Sequence, residues 1–159
     1  MKKFWLLALL AFIGLGASAQ HSKGDMAAGI NLGFGTEISS FELGAKFQYG
    51  ISNPIRAEVA FNYFFENNLT SMWDIELTGH YLFNVAEKFS IYPLVGITYT
   101  NIKVSYLGWS ASEGRFGANL GAGAEYYLNQ TFSIGLEAKY QLIADFDQAI
   151  ISVGATYRF

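Results

Sequence analysis

Apolar residues alternate with small or polar ones along most of this sequence, and residues 149–159 show the pattern most clearly. Their apolar series consists of Ala149, Ile151, Val153, Ala155, Tyr157 and Phe159, and the residues between them are mostly small or polar. Successive side chains of a β-strand point to opposite faces of the sheet. The alternation therefore predicts a strand with one apolar face and one polar face.

Seven further segments alternate in the same way, at about residues 26–34, 41–50, 55–64, 73–83, 89–100, 116–127 and 132–142. Across all eight segments the apolar series contains no Asp, Glu, Lys or Arg. The opposite series contains Glu42, Lys46, Arg56, Glu58, Asp74, Glu76, Glu125, Glu137, Lys139 and Arg158. A soluble barrel such as a lipocalin needs a dry interior and a wet exterior, which is the reverse arrangement. We therefore expect the apolar series to face lipid and the charged series to face a narrow lumen.

The predicted fold is all-β, an eight-stranded antiparallel up-and-down transmembrane β-barrel. An even number of strands lets the sheet close without an unpaired edge, which hydrocarbon would penalise strongly. Charged residues make up only 14% of the chain, against about 25% in soluble domains. Aromatic residues near the strand ends predict a lower girdle of Tyr49, Phe83, Phe89, Tyr126, Phe132, Tyr157 and Phe159, and an upper girdle of Phe34, Phe41, Tyr63, Trp73, Tyr99, Phe116 and Tyr140.

The amino terminus has the pattern of a cleaved secretory signal peptide, which we assign to residues 1–19. Two lysines precede an uncharged apolar run over residues 4–17, and Ala17-Ser18-Ala19 supplies the small residues of a cleavage site. A transmembrane anchor is the alternative, but the run is shorter than the roughly 20 residues that a spanning helix needs. We expect residues 20–159 to form one outer-membrane barrel domain. The absence of cysteine excludes a lipid-modified cysteine and a disulfide framework.

These features resemble the small outer-membrane barrel family that includes outer membrane proteins A and X. The residues Tyr92-Pro-Leu-Val-Gly-Ile-Thr-Tyr99 are similar to the fifth strand of such domains. The resemblance implies a location in the outer membrane of a Gram-negative-type cell, in contact with outer-membrane lipid and lipopolysaccharide. It also implies a signal for the barrel-assembly machinery, which Val153, Tyr157 and Phe159 match. Because the sequence stops at the barrel, without a peptidoglycan-binding domain, we place it closer to the X-like branch.

The predicted lumen contains six acidic and four basic side chains, which cannot all pair. The excess acids must be hydrated, share a proton or bind a cation, because an isolated buried charge is costly. An eight-stranded barrel is only just wide enough for its own side chains, so we expect a closed polar plug. A narrow, cation-preferring channel is the alternative. His80 lies on the same face, as a satisfied lumen residue or as a pH gate.

The sequence predicts no enzyme, metal site or cofactor. Beyond the signal peptide the histidines are His21 and His80, and neither belongs to an outward Ser-His-acid set. A lipid-modifying hydrolase or acyltransferase is therefore the least favoured alternative. No ligand spacing surrounds either histidine, although Asp145 and Asp147 could bind Ca²⁺ weakly. The formal charge of −3 makes nucleic acid an unfavourable partner.

The longest predicted loop covers about residues 101–114 and carries Tyr106, Leu107 and Trp109 among small and polar residues. Exposed aromatic side chains on a loop favour contact with a surface ligand or with lipopolysaccharide. The alternative is that Tyr106 and Trp109 fold back onto the upper girdle. We therefore expect a structural or surface-interaction role in the outer membrane.

Pro93 is the one residue that does not fit the predicted register. It lies inside the fifth strand, where a closed barrel requires every backbone N–H, and proline has none. We expect a local bulge or an unpaired position near the lower rim.

Overall fold

The computed structural model describes residues 21–159, so the signal peptide predicted at residues 1–19 lies outside the described residues. The described chain forms nine β-strand segments: β1 (Met26–Gly35), β2 (Ser40–Gly50), β3 (Ile55–Asn67), β4 (Thr70–Tyr81), β5 (Phe83–Ala86), β6 (Phe89–Tyr106), β7 (Trp109–Tyr127), β8 (Phe132–Ile143) and β9 (Gln148–Arg158). Within residues 21–159 no helix is long and apolar enough to cross a membrane.

Antiparallel pairing joins neighbouring strands around a closed sheet. β1 pairs with β9, and β4 pairs with β6, so neither end of the strand order is left open. β5 continues along β6 in the register that β4 sets, which makes β4 and β5 two parts of one barrel strand. The molecule is thus a closed eight-stranded antiparallel barrel with up-and-down connections, and the predicted fold class is confirmed.

The break between β4 and β5 lies beside Pro93, as the sequence predicts. β4 ends at Tyr81, β5 begins at Phe83, and pairing with β6 resumes without a shift. Leu82, between the two segments, donates its backbone N–H to the carbonyl oxygen of Pro54 at 2.7 Å. A register shift follows within β5. The proline therefore interrupts the ladder locally, and the other side of β6 stays paired with β7 throughout.

The two faces of the barrel wall differ in the predicted sense. Outward side chains such as Ile30 and Leu136 are 60% and 58% exposed. Inward polar side chains such as Asp74 and Asn119 are fully buried. An outer surface of this kind requires an apolar surrounding, because water would oppose so large an exposed apolar area.

Aromatic rings on the outer surface form contacts at both ends of the barrel. At the upper end the Tyr99 ring lies 5.9 Å from the Trp73 ring and 5.0 Å from the Phe116 ring, measured between centroids. At the lower end the Phe132 and Tyr157 centroids are 5.0 Å apart. These distances are typical of favourable aromatic pairs, so each predicted girdle contains rings that support one another.

The predicted loop at residues 101–114 is wrong, because this segment continues the two strands beside it. β6 and β7 are 18 and 19 residues long and pair without a shift as far as Tyr106 and Trp109. The residues between them, Leu107 and Gly108, both have positive φ. Two such residues make the tight turn that best fits the twist of a hairpin.

The physical reason for this error is a change of phase in the alternation. Up to Tyr99 the apolar residues of β6 occupy the outward positions. Beyond Thr100 they occupy the alternate positions, at Ile102, Val104 and Tyr106. A strand that leaves the membrane no longer needs an apolar outer face, so its alternation can change phase while its pairing continues.

Candidate functional site: the lumen and the outer hairpin

The lower lumen layer is built around Arg56, which is buried to within 2% of its surface. Its Nη1 donates to Oε2 of Glu125 at 2.7 Å. Its Nε and Nη2 lie 3.3 and 3.1 Å from Nδ1 of His80. Because arginine is always protonated, Nδ1 must accept, and the His80 proton therefore lies on Nε2, 3.2 Å from Oγ1 of Thr78. The site holds a neutral histidine between fixed partners.

The other acids of the lower layer also have partners. Lys46 Nζ lies 3.5 Å from Oε2 of Glu58, which accepts a further hydrogen bond from Gln48 at 2.6 Å. The Tyr92 hydroxyl donates to Oε2 of Glu137 at 3.0 Å. We define the lower layer as Lys46, Gln48, Arg56, Glu58, His80, Tyr92, Glu125 and Glu137. Two bases thus lie among three acids, and the third acid accepts from a neutral donor.

The upper lumen layer is a chain of amides and carboxylates, which we define as Asn31, Glu42, Asn62, Asp74, Glu76, Asn119, Lys139, Gln141 and Gln148. Asp74 accepts from Asn62 at 2.8 Å and from Gln141 at 3.0 Å. Glu76 accepts from Gln141 at 2.8 Å and from Lys139 at 2.6 Å. The chain therefore crosses the lumen from β3 to β8, but it includes only one base.

Several buried polar atoms of the upper layer have no hydrogen-bond partner among the described residues. They are Oδ1 of Asn31, Oε2 of Glu42, both amide atoms of Asn119 and Oε1 of Gln148. No atom of the lower layer, as the structure describes it, shares this property. An unpartnered buried polar group is costly, so the upper layer requires further hydrogen-bond partners or an ion, whereas the lower layer does not.

An apolar lid closes the lumen above the upper layer. Ile38, Phe64, Met72 and Ile150 form one buried cluster, with Ile102 and Phe146 packed against it. This lid was not predicted from the sequence. The sequence nevertheless contains a signal for the lid. The inward positions change from polar to apolar at the upper ends of the strands, for example at Phe64 and Met72.

The chain segment before β1 fills the lower mouth. The His21 side chain is 4% exposed, and Gly24 and Asp25 exchange backbone hydrogen bonds with Gly50 at 2.8 Å. A Cβ on Gly50 would lie 2.3 Å from the carbonyl oxygen of Ser22, so this approach requires glycine. Burial, together with the charges of Arg56 and Arg158, lowers the pKa of His21 from 6.5 to about 4.

Nine of the ten predicted lumen charges belong to the two layers, and the exception is Arg158. Its Nη1 lies 3.6 Å from Oδ2 of Asp25 at the lower rim, and its guanidinium lies 5.4 Å from the Tyr127 ring centroid. The three lumen ion pairs within the described chain are Lys46 with Glu58, Arg56 with Glu125, and Lys139 with Glu76. Glu42, Asp74 and Glu137 have no ion pair there, which leaves three acids without a basic partner.

His80 has acidic neighbours that sequence spacing did not reveal. One carboxylate oxygen from each of Glu58 and Glu137 lies with a His80 ring nitrogen inside a span of 4.8 Å. The Arg56 guanidinium nevertheless donates to His80, and its charge repels a metal ion at this place. This cluster is better described as a hydrogen-bonded core, and the absence of a metal site stays a prediction.

The loop acids considered for Ca²⁺ have protein partners. Asp145 lies 3.8 Å from Arg115, and Oδ1 of Asp147 accepts the backbone N–H of Ile143 at 3.0 Å. Arg115 also donates to the carbonyl oxygen of Ala144. These contacts fix the β8–β9 loop against β7 and leave the two carboxylates with different surroundings.

The three residues of the predicted assembly signal lie on or beside β9. Val153, Tyr157 and Phe159 are 56%, 46% and 64% exposed. The Tyr157 and Phe159 rings stack with centroids 6.3 Å apart, and the Phe159 backbone N–H donates to Met26 on β1. Recognition of these residues by the assembly machinery stays a prediction.

The tip of the β6–β7 hairpin is the most exposed apolar surface of the upper end. Tyr106, Leu107 and Trp109 are 65%, 83% and 85% exposed. Neither Tyr106 nor Trp109 takes part in the ring contacts found within residues 21–159. The aromatic side chains therefore stand apart from the upper girdle.

One edge of this hairpin is free. The pairing of β4 with β6 reaches as far as Val104 and covers that side. On the other side β7 pairs with β8 only from Gly117 onward, so residues 109–116 have no neighbouring strand in the described part of the chain. Their backbone N–H and C=O groups can accept an added strand.

Comparison with known proteins agrees with this architecture. A sequence model of the family described as outer membrane protein beta-barrel domain matches residues 5–159. No curated protein matches the chain.

Three solved structures have a similar fold. The N-terminal β-barrel domain of Pseudomonas aeruginosa OprF is 14% identical, with 87% of this chain and 100% of that chain covered and a TM-score of 0.77. Neisserial surface protein A is 13% identical, with 85% and 96% covered and a TM-score of 0.71. Ail, the attachment invasion locus protein of Yersinia pestis, is 22% identical, with 86% and 99% covered and a TM-score of 0.63. At these identities the likeness shows the fold alone.

Proposed function

Since the chain belongs to the outer membrane protein beta-barrel domain family and lies in the outer membrane, we propose that it is a closed-lumen barrel that acts through its protruding hairpin. The β6–β7 hairpin carries this proposal, because its apolar tip and its free edge both lie beyond the point where β7 pairs with β8. The barrel itself serves as a rigid anchor. Sites held on rigid elements bind with less loss of conformational freedom.

The filling of the lumen supports the anchor role. Arg56 and Glu76 are each 2% exposed, and Glu42 and Phe64 are fully buried. Buried ion pairs and an apolar lid leave no wide polar path across the membrane, in agreement with the narrow interior of an eight-stranded barrel.

The hairpin supports binding of a protein partner by strand addition. An extended segment that pairs with residues 109–116 would satisfy the free backbone groups of β7, and Tyr106 and Trp109 would supply aromatic contact area. Ail has been solved with sucrose octasulfate, a heparin analogue. The upper loops and hairpin of this chain carry more acids than bases, namely Glu37, Glu66, Glu113, Asp145 and Asp147 against Lys103 and Arg115. This charge favours a protein partner over a polyanion.

An adhesion assay tests the proposal. Cells that display the wild-type protein are compared with cells that display Tyr106→Ala/Trp109→Ala, on surfaces coated with individual extracellular proteins. Phe41→Ala is the matched control, because Phe41 is an outer aromatic residue with 69% exposure but lies in the barrel wall. We expect the double variant to lose adhesion at least about tenfold, since central aromatic contacts often contribute about 2 kcal/mol or more. Equal adhesion of wild type and double variant contradicts the proposal.

A cation-preferring channel is the second candidate, and the three acids without ion pairs favour it. Planar-bilayer conductance of the folded protein distinguishes the candidates. Discrete cation-selective steps that shrink in Glu42→Gln, Glu76→Gln and Glu137→Gln variants support a channel. A silent bilayer with folded protein supports the anchor.

We infer no enzymatic role. His21 and His80 are both buried, at the lower mouth and in the lumen. A histidine that activates a nucleophile against lipid must reach the lipid-facing surface. Incubation of the purified protein with labelled lipopolysaccharide or phospholipid checks this inference. We expect the labelled lipid to stay unchanged, and any hydrolysed or transferred acyl chain contradicts the inference.

A further inference from the structure

Two buried side chains of the upper lumen layer that share a hydrogen bond each have a second oxygen without a donor. Asn31 and Glu42 are 7% and 0% exposed, and Nδ2 of Asn31 donates to Oε1 of Glu42 at 2.7 Å. The second oxygen of each side chain, Oδ1 of Asn31 and Oε2 of Glu42, has no hydrogen-bond partner among the described residues. The amide oxygen of Asn31 can only accept, and so can Oε2 of Glu42 when the carboxylate is ionised, so each then requires a donor or a cation.

The charges of the same layer are out of balance. Glu42, Asp74 and Glu76 face a single base, Lys139, whose Nζ lies 2.6 Å from Glu76. Asp74 accepts two amide N–H groups, from Asn62 and Gln141, which stabilise its ionised form. With all three carboxylates ionised, the layer carries two uncompensated negative charges. Ions buried in this way are normally paired or bound to a metal.

Two glycines let the ends of these side chains approach the backbone of β1 and β2 closely. A Cβ on Gly44 would lie 2.5 Å from Oδ1 of Asn31, and a Cβ on Gly33 would lie 2.9 Å from Oε1 of Glu42. Any larger residue on β1 or β2 at these positions would displace the pair. The site therefore combines a carboxylate oxygen and an amide oxygen on adjacent strands, beside two positions that fit only glycine.

We propose that the upper layer binds one Ca²⁺ ion through Oε2 of Glu42 and Oδ1 of Asn31. Oxygen donors without nitrogen or sulfur suit a hard cation, and Ca²⁺ accepts flexible sets of carboxylate, amide and water oxygens. A divalent ion also neutralises both excess charges. A water molecule neutralises none, and a single proton neutralises only one.

The lower layer does not provide an equivalent site. The cluster of Glu58, His80 and Glu137 lies beside Arg56 and Lys46, whose charges oppose a cation. None of its fully buried polar atoms lacks a partner among the described residues. Substitution of Glu58 is therefore the matched control for substitution of Glu42. Both residues are inward glutamates, but Glu58 already has a lysine partner.

The test measures calcium in the full-length protein after purification in Ca²⁺ and removal of free ion on a chelating resin. We expect one Ca²⁺ per chain in the wild type, none in Glu42→Gln and one in Glu58→Gln. We also expect the wild type to unfold at a lower temperature in EGTA than in Ca²⁺, and the Glu42→Gln unfolding temperature to be independent of Ca²⁺.

Two outcomes overturn the proposal. Calcium retained by Glu42→Gln assigns the ion to another place. A wild type without calcium, whose unfolding temperature is the same in EGTA and Ca²⁺, means that water and protons alone complete the layer. The wild-type measurement stands even where a variant fails to fold, so the proposal does not depend on the variants alone.

Discussion

The lower and upper layers of the lumen bury carboxylates in different ways. In the lower layer Arg56 and Lys46 lie against Glu125 and Glu58, and no fully buried polar atom of the described layer lacks a partner. In the upper layer amides replace most of the bases, and Lys139 alone is cationic. The comparison shows that hydrogen bonds can be supplied by neutral amides, whereas charge can be balanced only by charge.

This difference predicts different responses to substitution. Removing one member of an ion pair in the lower layer leaves its partner charge buried, without a counter-charge and without water to solvate it. Removing an acid from a layer with excess acids reduces the mutual repulsion of those that remain. The same chemical change is therefore expected to have unequal effects in the two layers.

The largest effect is expected for Arg56→Met. The substitution strands the Glu125 carboxylate and removes the donor to His80, so the free energy of unfolding should fall by about 3–5 kcal/mol. Urea titration in lipid vesicles measures it. Arg115→Met is the control, because Arg115 lies on the exposed hairpin, and its loss should lower the free energy of unfolding far less. Equal losses in the two variants would contradict the assigned role of Arg56.

A pair of acid substitutions compares the layers directly. Glu125→Gln leaves Arg56 without its carboxylate and should cost about 3 kcal/mol. Asp74→Asn, measured in EGTA, turns one of the two accepting oxygens into an NH2 donor but also removes an uncompensated charge. It should therefore lower the free energy of unfolding by only about 1 kcal/mol. A greater loss of unfolding free energy in Asp74→Asn than in Glu125→Gln would contradict the assigned difference between the two layers.

Two glycine substitutions compare how rigidly the layers are packed. A Cβ on Gly123 would lie 2.3 Å from the Tyr92 ring, which stacks on His80 with centroids 4.6 Å apart. A Cβ on Gly44 would meet the ends of amide side chains, which can rotate. We expect Gly123→Ala to cost about 2 kcal/mol and Gly44→Ala about 1 kcal/mol. The outward Gly79→Ala serves as the control, because its nearest contact is 3.8 Å away.

The smallest effect concerns the lower mouth, where the field of the lower layer reaches His21. Burial and the charges of Arg56 and Arg158 lower its pKa from 6.5 to about 4, although Asp25 and Glu125 oppose this. Between these pH values the unfolded chain binds more protons at this residue, so stability should fall as the pH decreases from about 6.5 to about 4. The difference between wild type and His21→Ala across this range isolates the effect from the titration of other acids. Identical pH profiles would contradict it.

The fold could be predicted because each strand carries its own two-residue period. The inward direction of Glu42 or Lys139 follows from parity alone, and so does the outward direction of Ile30. The partner of each inward side chain could not be predicted. Lys139 meets Glu76 across the lumen, and that contact depends on the tilt and stagger of the closed sheet.

The hairpin and the lid were missed for a related reason. Both begin where the alternation changes, at Ile102 on β6 and at Phe64 and Met72 on β3 and β4. A change of pattern at the edge of a membrane is easily read as the end of a strand. Backbone pairing, which a single sequence does not reveal, continues beyond it.

The change of phase on β6 also fixes how deep the barrel can sit. Beyond Tyr99 the outward positions carry Asn101, Lys103 and Ser105. Two residues span roughly 7 Å along a strand. A deeper position of the barrel would therefore bring the Lys103 ammonium into hydrocarbon, at a cost that rises towards the bilayer centre. A shallower position would leave the rings of Tyr99 and Phe116 in water. The outward residues of β6 therefore set the depth of the barrel in the membrane, and with it the height of the hairpin above the membrane.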